Sequence, residues 1–281
     1  MIILLNVLVI LAFKRYAHLR KVNNYFILSL AITDLIVGFI SVPCYGIYCI
    51  LGYWPFGSLI CDIFLLLDYG ICYASVANLL VISFDRFYSI SSPMAYRLRR
   101  TPCNAIVMIM LAWIIPFSVW APAIFAGRFA EGKRMIPNGI CYVPLFSNTV
   151  FTVCAMFLTI YIPIAAMLVL YNKIYKVIKS RKHRNTLSDK KAAKMLCVIL
   201  IMFIVTLFPF SVFTIVFSVC GECIHPTLNA SGYWLFYMSS AANPVCYATC
   251  NSNFRGAFLQ ILKVKESRDI SNQHRAALWT I

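Results

Sequence analysis

Charge is what this sequence has least of. Only 12% of its 281 residues are Asp, Glu, Lys or Arg, where a soluble domain carries about 25%. Hydrophobic residues make up 62%. A soluble protein of that composition has no surface to present to water. Acidic residues are scarcest of all: 9 Asp+Glu stand against 25 Lys+Arg, for a net charge of +16. A basic balance can mean nucleic acid, but that needs a solvated basic face, and so few polar residues cannot build one. The composition is that of a polytopic membrane protein. A catalytic set is also missing. The four histidines, His18, His183, His225 and His274, lie outside the apolar runs. None can join a membrane carboxylate as a metal site, or serve a Ser or Cys nucleophile. Phosphate-cradling GxGxxG and P-loop patterns are absent, so the chain reads as no enzyme.

The gaps between charges divide the chain. No Asp, Glu, Lys or Arg occurs in Met1–Phe13, Leu35–Cys61, Tyr69–Phe84, Thr101–Gly127, Met135–Asn172, Met195–Gly221 or Cys223–Phe254. A spanning helix needs about 20 apolar residues to cross about 30 Å of hydrocarbon. Barrel strands alternate apolar and polar residues, whereas these runs are apolar throughout. The expected fold is an all-α bundle of seven transmembrane helices, near 1–13, 23–50, 58–90, 102–126, 146–179, 187–220 and 227–249. Thirteen residues rise only about 20 Å, so the first helix reads as truncated. A signal peptide is the alternative, but Phe13 is followed by no small-residue cleavage site and preceded by no basic stretch.

Lys and Arg set the orientation, because short basic loops stay cytoplasmic. Lys14, Arg15, Arg20 and Lys21 fall in the first loop, Arg97, Arg99 and Arg100 in the third, nine between Lys173 and Lys194, and five after Phe254. The other side has Arg128, Lys133 and Arg134. The N-terminus is therefore outside and the C-terminus inside. Asn253–Val264 reads as an amphipathic helix on the inner membrane surface, with Phe254, Phe258 and Leu262 on one side. Residues 1–264 form the membrane domain, and 265–281 a disordered cytoplasmic tail.

An ionisable residue within a span is a functional-site hypothesis by default. Asp34, Asp68 and the Asp85-Arg86 pair qualify. Arg86 follows Asp68 by 18 positions, about five helical turns or 27 Å, so the two share a face of the third helix, with Ser75 between them. Asp68 is a candidate counter-ion for a cation arriving from outside, or else a structural Asp bonded to its neighbours. Tyr69 adjoins it, and Trp120, Phe210, Tyr233 and Tyr237 lie in the outer halves of other helices. Such rings attract ammonium groups by about 0.5–2 kcal/mol each. Asp34 has candidate partners in Ser75, Ser240 and Asn243. Those oxygens suit either a small cation such as sodium or a hydrated polar network.

Of the twelve cysteines, Cys72, Cys154, Cys197 and Cys246 read as small packing residues in the spans. Cys61 and Cys141 fall at outer helix ends, in an oxidising compartment where a disulfide is open to them. Cys220 and Cys223 form a second outer pair, which lacks the further CxxC that a zinc site would need.

Taken in order, several short motifs resemble those of rhodopsin-like (class A) G-protein-coupled receptors. They are Asn6; Leu30-Ala31-Ile32-Thr33-Asp34; Asp85-Arg86-Phe87; Trp113; Pro163 with Tyr171; Pro209; and Asn243-Pro244-Val245-Cys246-Tyr247. The likeness covers essentially the whole chain. It is aminergic in character and closest to the muscarinic acetylcholine receptors, while LAITDLIVGFISVPCYGIY and PFSVFTIVFS look as much like histamine receptors. The resemblance implies a plasma-membrane receptor that binds a small cationic amine outside and activates a heterotrimeric G protein inside. It implies an amine site of Asp68, Tyr69, Cys72, Trp120, Thr152, Thr159, Phe210, Ser211, Tyr233 and Tyr237, and a Cys61–Cys141 disulfide. Sodium would rest on Asp34, Ser75, Ser240 and Asn243, and no other cofactor is implied. Arg86 would bond Asp85, and Asp189 on the sixth helix, until activation; Phe203, Tyr171 and Tyr247 would take part in that change.

The chain also departs from the pattern. Leu207 stands where the family usually has the Trp that floors the pocket. Muscarinic receptors have Asn at Ser211, Tyr at Phe210, Ser at Cys72 and Thr at Ala155. A pocket built around a hydrogen bond to the ligand rejects ligands that lack it, so histamine or another biogenic amine is the alternative agonist. A divergent receptor that binds without signalling is the other alternative. A transporter or proton pump using Asp34, Asp68 and Asp85 would show internal repeats, and none is found.

Overall fold

A computed structural model describes residues 1–131, 139–180, 187–221 and 223–262. Among them the regular structure is helical, without strands. In order come α1 (Ile2–Arg15), α2 (Val22–Ile36), α3 (Val42–Leu51), α4 (Gly57–Ser91), α5 (Pro93–Arg99), α6 (Pro102–Glu131), α7 (Thr149–Met156), α8 (Ile162–Ser180), α9 (Leu187–Cys220), α10 (Pro226–Cys250) and α11 (252–262). A π-helical turn at Val37–Ser41 joins α2 to α3, and another at Phe157–Tyr161 joins α7 to α8. With those pairs taken as single spans, α1, α2–α3, α4, α6, α7–α8, α9 and α10 are the seven helices expected.

Lipid explains why these apolar runs become helices. With no water to bond N–H and C=O groups, each span must satisfy its own backbone, and a helix does so within the segment. Among the described residues, five helices are long and apolar enough to cross a membrane: Asn24–Leu51, Gly57–Ser91, Pro102–Phe125, Thr149–Ser180 and Ala193–Cys220. The 25-residue α10 is as long but carries more polar side chains, and α1 has 14 residues. Pro116, Pro122, Pro209 and Pro244 all sit inside helices, as neighbouring helices in a membrane allow. Local signals set the ends. Gly52, with φ +74°, closes α3 in the left-handed region. The fifth span starts at Thr149 rather than near 146, because Pro144–Ser147 forms a 3-10 turn and the Asn148 carboxamide caps α7, accepting from the Phe151 N–H at 3.0 Å.

The third span, α4, is the axis of the bundle, and every residue from Asp68 to Val76 on it is buried. It packs against α2, α6 and α8. Gly70 makes one approach close: a Cβ there would lie 2.6–2.9 Å from the Phe117 ring of α6. Side chains pin other neighbours. The Asn6 amide donates to the Ser240 carbonyl at 3.1 Å, tying α1 to α10, and the Trp113 indole donates to the Ser29 hydroxyl at 3.0 Å, tying α6 to α2. Large apolar side chains such as Phe39, Ile106, Phe157 and Phe208 are exposed outward, an arrangement suited to hydrocarbon. At the outer end a Cys61–Cys141 disulfide joins α4 to the loop before α7, and the Trp54 N–H bonds the Gly139 carbonyl at 2.7 Å.

The last helix differs from expectation. Phe254 and Phe258 turn into the bundle, with Phe254 against Tyr247 at 5.9 Å, while Leu262 stays exposed. Two of its three apolar anchors thus pack on protein rather than lipid. Among the span cysteines, Cys72 and Cys246 are buried but Cys154 faces outward. The expected tail, 265–281, lies outside the described residues, as do Lys133, Arg134 and His183.

Candidate functional site

Asp68 is 2% exposed in the outer half of α4. The Tyr237 hydroxyl donates to its Oδ2 at 3.1 Å, and the Cys72 thiol lies 3.9 Å from Oδ1. The Ser41 hydroxyl, in the π-helical turn, bonds it as well. None of these partners carries positive charge. A carboxylate this buried is costly to ionise without a cation beside it.

Aromatic rings enclose it. One turn outward of Tyr237, the Tyr233 hydroxyl meets that of Tyr69 at 2.9 Å, linking α10 to α4. Phe210 meets Tyr233 edge-on at 4.9 Å. Two further rings escaped the sequence reading. Tyr45 stacks on Tyr233 at 4.8 Å and meets Tyr237 at 5.7 Å. Phe236 stacks on Phe210 at 4.7 Å with an interplanar angle of 9°. Spacing signals both. Ser41 and Tyr45 are four apart, and Tyr233, Phe236 and Tyr237 follow the i, i+3, i+4 rule for one helix face.

The structure does not bring the whole expected set together. Trp120 is fully buried behind the site, 4.7 Å from Tyr69 and stacked on Tyr73 at 5.0 Å. Thr152 donates to the carbonyls of Phe146 and Asn148, and Thr159 to that of Ala155 while also bonding the Tyr73 side chain. Ser211 meets the Tyr161 hydroxyl at 3.0 Å, linking α9 to the π-helical turn before α8.

One layer inward, Asp34 is fully buried. The Asn243 amide donates to its Oδ2 at 2.8 Å and the Ser75 hydroxyl to its Oδ1 at 3.3 Å, with Ser240 a third partner. A carboxylate with two hydroxyls is an oxygen set suited to a hard cation, and the same groups also satisfy the carboxylate by themselves.

At the inner end Asp85 binds more than Arg86. The Arg86 Nε is 3.8 Å away, whereas Arg100 Nη2 is at 3.1 Å and the Tyr96 hydroxyl donates at 2.7 Å. The Arg100 guanidinium also lies over the Tyr96 ring, 4.7 Å from its centre. Sequence reading did not name Tyr96, and it counted Arg100 only among the basic loop residues. Both belong to the short α5 and its end, four residues apart on one face. Asp189 falls in the first turn of α9, and its side chain lies outside the described ones. Tyr171 meets Cys197, Phe203 is buried, and Tyr247 is buried against Phe254. Cys220 and Cys223 form a second outer disulfide.

The chain also matches known proteins in sequence. The model of the family described as "7 transmembrane receptor (rhodopsin family)" matches residues 5–247. Muscarinic acetylcholine receptor M1 of Homo sapiens is 29% identical, over 92% of this chain and 85% of its own length. Muscarinic acetylcholine receptor M5 of Macaca mulatta is 47% identical over 66% of this chain and 34% of its own, and M2 of Gallus gallus 44% over 63% and 38%. The M1 alignment runs to 391 residues against a chain of 281, so that relative carries residues this chain lacks.

Proposed function

The chain belongs to the rhodopsin family of seven-transmembrane receptors, and we propose that it senses a small cationic amine, acetylcholine-like in charge and size, through Asp68. As a G-protein-coupled receptor of the plasma membrane, it passes signals from the outer face to a heterotrimeric G protein inside. The observation that carries the amine reading is a buried carboxylate with no cationic partner of its own beneath Tyr69, Tyr233 and Tyr237. An ammonium group there would gain the charge pair together with cation–π attraction of about 0.5–2 kcal/mol per ring. Phe210, Tyr45 and Phe236 complete the wall, while Trp120 acts by holding Tyr69 and Tyr73. A sodium ion fits Asp34, Ser75 and Ser240, where it would supply a compact charge that holds the helices in one arrangement.

Signalling is then a population shift. A ligand that binds one helix arrangement better moves the equilibrium by its differential affinity. At the inner end, release of Asp85 would free Arg86 for the G protein, and Tyr171 and Tyr247 would turn with it. Two departures support second readings. Ser211 is engaged with Tyr161, which favours histamine or another biogenic amine over a ligand needing an amide partner. Leu207, buried where the family usually has Trp, favours a receptor that binds without signalling.

Saturation binding of labelled acetylcholine, histamine and other biogenic amines tests the reading. Asp68→Asn, matched for surface expression, is expected to weaken binding by about 100-fold or more, because breaking a buried charge pair costs roughly 3–5 kcal/mol. Equal affinity in the mutant would remove Asp68 from the role of counter-ion.

A further inference from the structure

A cavity lies far from Asp68, at the inner end of the bundle. It holds about 400 Å³ between α2, α4, α5 and α6, within the roughly 300–1,000 Å³ range of small-molecule sites. Phe26, Ala105 and Met108 supply apolar wall, and Tyr96, Thr101, Asn104, Asp85 and Arg100 supply polar groups, the last two as an ion pair at 3.1 Å. We propose that this cavity binds a single-chain anionic amphiphile from the inner leaflet, its head on Arg100 and its chain along Phe26, Ala105 and Met108.

Charge favours an anion. Arg86 and Arg100 flank one carboxylate, Asp85, so the cluster carries one positive charge in excess, with Asp85 and Arg100 on the cavity wall and Arg86 behind them. Asp85 does not satisfy its partners. Arg86 Nε, Arg100 Nε and Arg100 Nη2 are buried without a hydrogen-bond acceptor, although Nη2 stands 3.1 Å from the carboxylate, and Asp85 Oδ2 has no hydrogen bond either. Buried guanidinium donors without acceptors are costly, and a carboxylate or phosphate matches their planar fork. Shape and place favour an amphiphile. Apolar walls sit beside one polar end, and Tyr88, which also lines the cavity, is 57% exposed on the bundle's outer surface. The basic loops put this end at the cytoplasmic leaflet, whose surface is anionic. The proposal is independent of which amine occupies the outer site.

The test uses the purified full-length chain in phosphatidylcholine nanodiscs. Tritiated oleate and oleoyl lysophosphatidate are the anionic probes, and oleyl alcohol is the uncharged competitor. The expected result is saturable binding of one acid per chain, without competition from the alcohol. Arg100→Gln should weaken it by about tenfold or more, the worth of one charge-assisted hydrogen bond. Arg100→Lys should retain most of it, and Ala105→Phe should abolish it by filling the cavity. Whichever acid binds identifies the head group, carboxylate or phosphate. The thermal midpoint of each variant reports folding, and if Arg100→Gln does not fold, Ala105→Phe decides alone. Failure of both acids to bind, equal competition by the alcohol, or binding that survives Ala105→Phe would overturn the proposal.

Discussion

Phe236 is a buried aromatic of α10. It follows Tyr233 by three positions on α10, and its ring lies flat on Phe210 of α9. Leu207, one turn inward of Phe210, is fully buried. The aromatic that the family resemblance places on α9 is absent from this chain, and a ring from α10 meets α9 instead. Its neighbour Tyr237 holds Asp68, so Phe236 connects the surroundings of Asp68 to α9 by direct contact. Phe236→Ala should therefore destabilise the receptor by about 3–5 kcal/mol, as removal of a buried ring does, and should lower the maximal agonist response more than agonist affinity. Leu207→Trp should overpack the wild type by about 1–3 kcal/mol yet cost less in the Phe236→Ala background. Strict additivity of the two thermal shifts would place the side chains in separate compartments. Asp34 and Asp68 were legible because charge is so rare in these spans that each one stands out. Tyr45 was not, because a tyrosine in an apolar run is as readily an interfacial anchor.

At the scale of helices, charge-free runs located the spans, since lipid excludes charge from each one over its whole length. They said nothing of the π-helical turns at Val37–Ser41 and Phe157–Tyr161, because an extra residue in a turn leaves composition unchanged. The first of these turns carries Ser41, a partner of Asp68. Nor could they reveal α5, whose seven residues are too few for a periodic signal, and with it went Tyr96 and the role of Arg100. Gly70→Ala should lower the thermal midpoint in detergent by the equivalent of about 1–3 kcal/mol, since its Cβ would meet Phe117; Phe117→Leu added to it should recover most of the loss. Cys61→Ser should sharply reduce surface expression and amine binding. Closing an 80-residue separation is worth about 4–5 kcal/mol in the chain-entropy account. Cys141→Ser should match it, and the double variant should be no worse than either.

Across the whole molecule, α4 carries Asp68 near its outer end, Ser75 beside Asp34 in the middle, and Asp85-Arg86 at its inner end. One buried helix thus touches all three polar sites, which is how an event at the outer face can bias the inner one. Asp85 anchors Arg86, Tyr96 and Arg100 together, so Asp85→Asn should raise ligand-independent nucleotide exchange. Unchanged basal exchange would show that this cluster does not restrain the resting arrangement. The most direct measurement of the account is guanine-nucleotide exchange by a heterotrimeric G protein reconstituted with the purified chain, across acetylcholine, histamine and other biogenic amines. The account predicts that at least one amine accelerates exchange and that Asp68→Asn removes the response. Acceleration by an amine that persists undiminished in Asp68→Asn would contradict it.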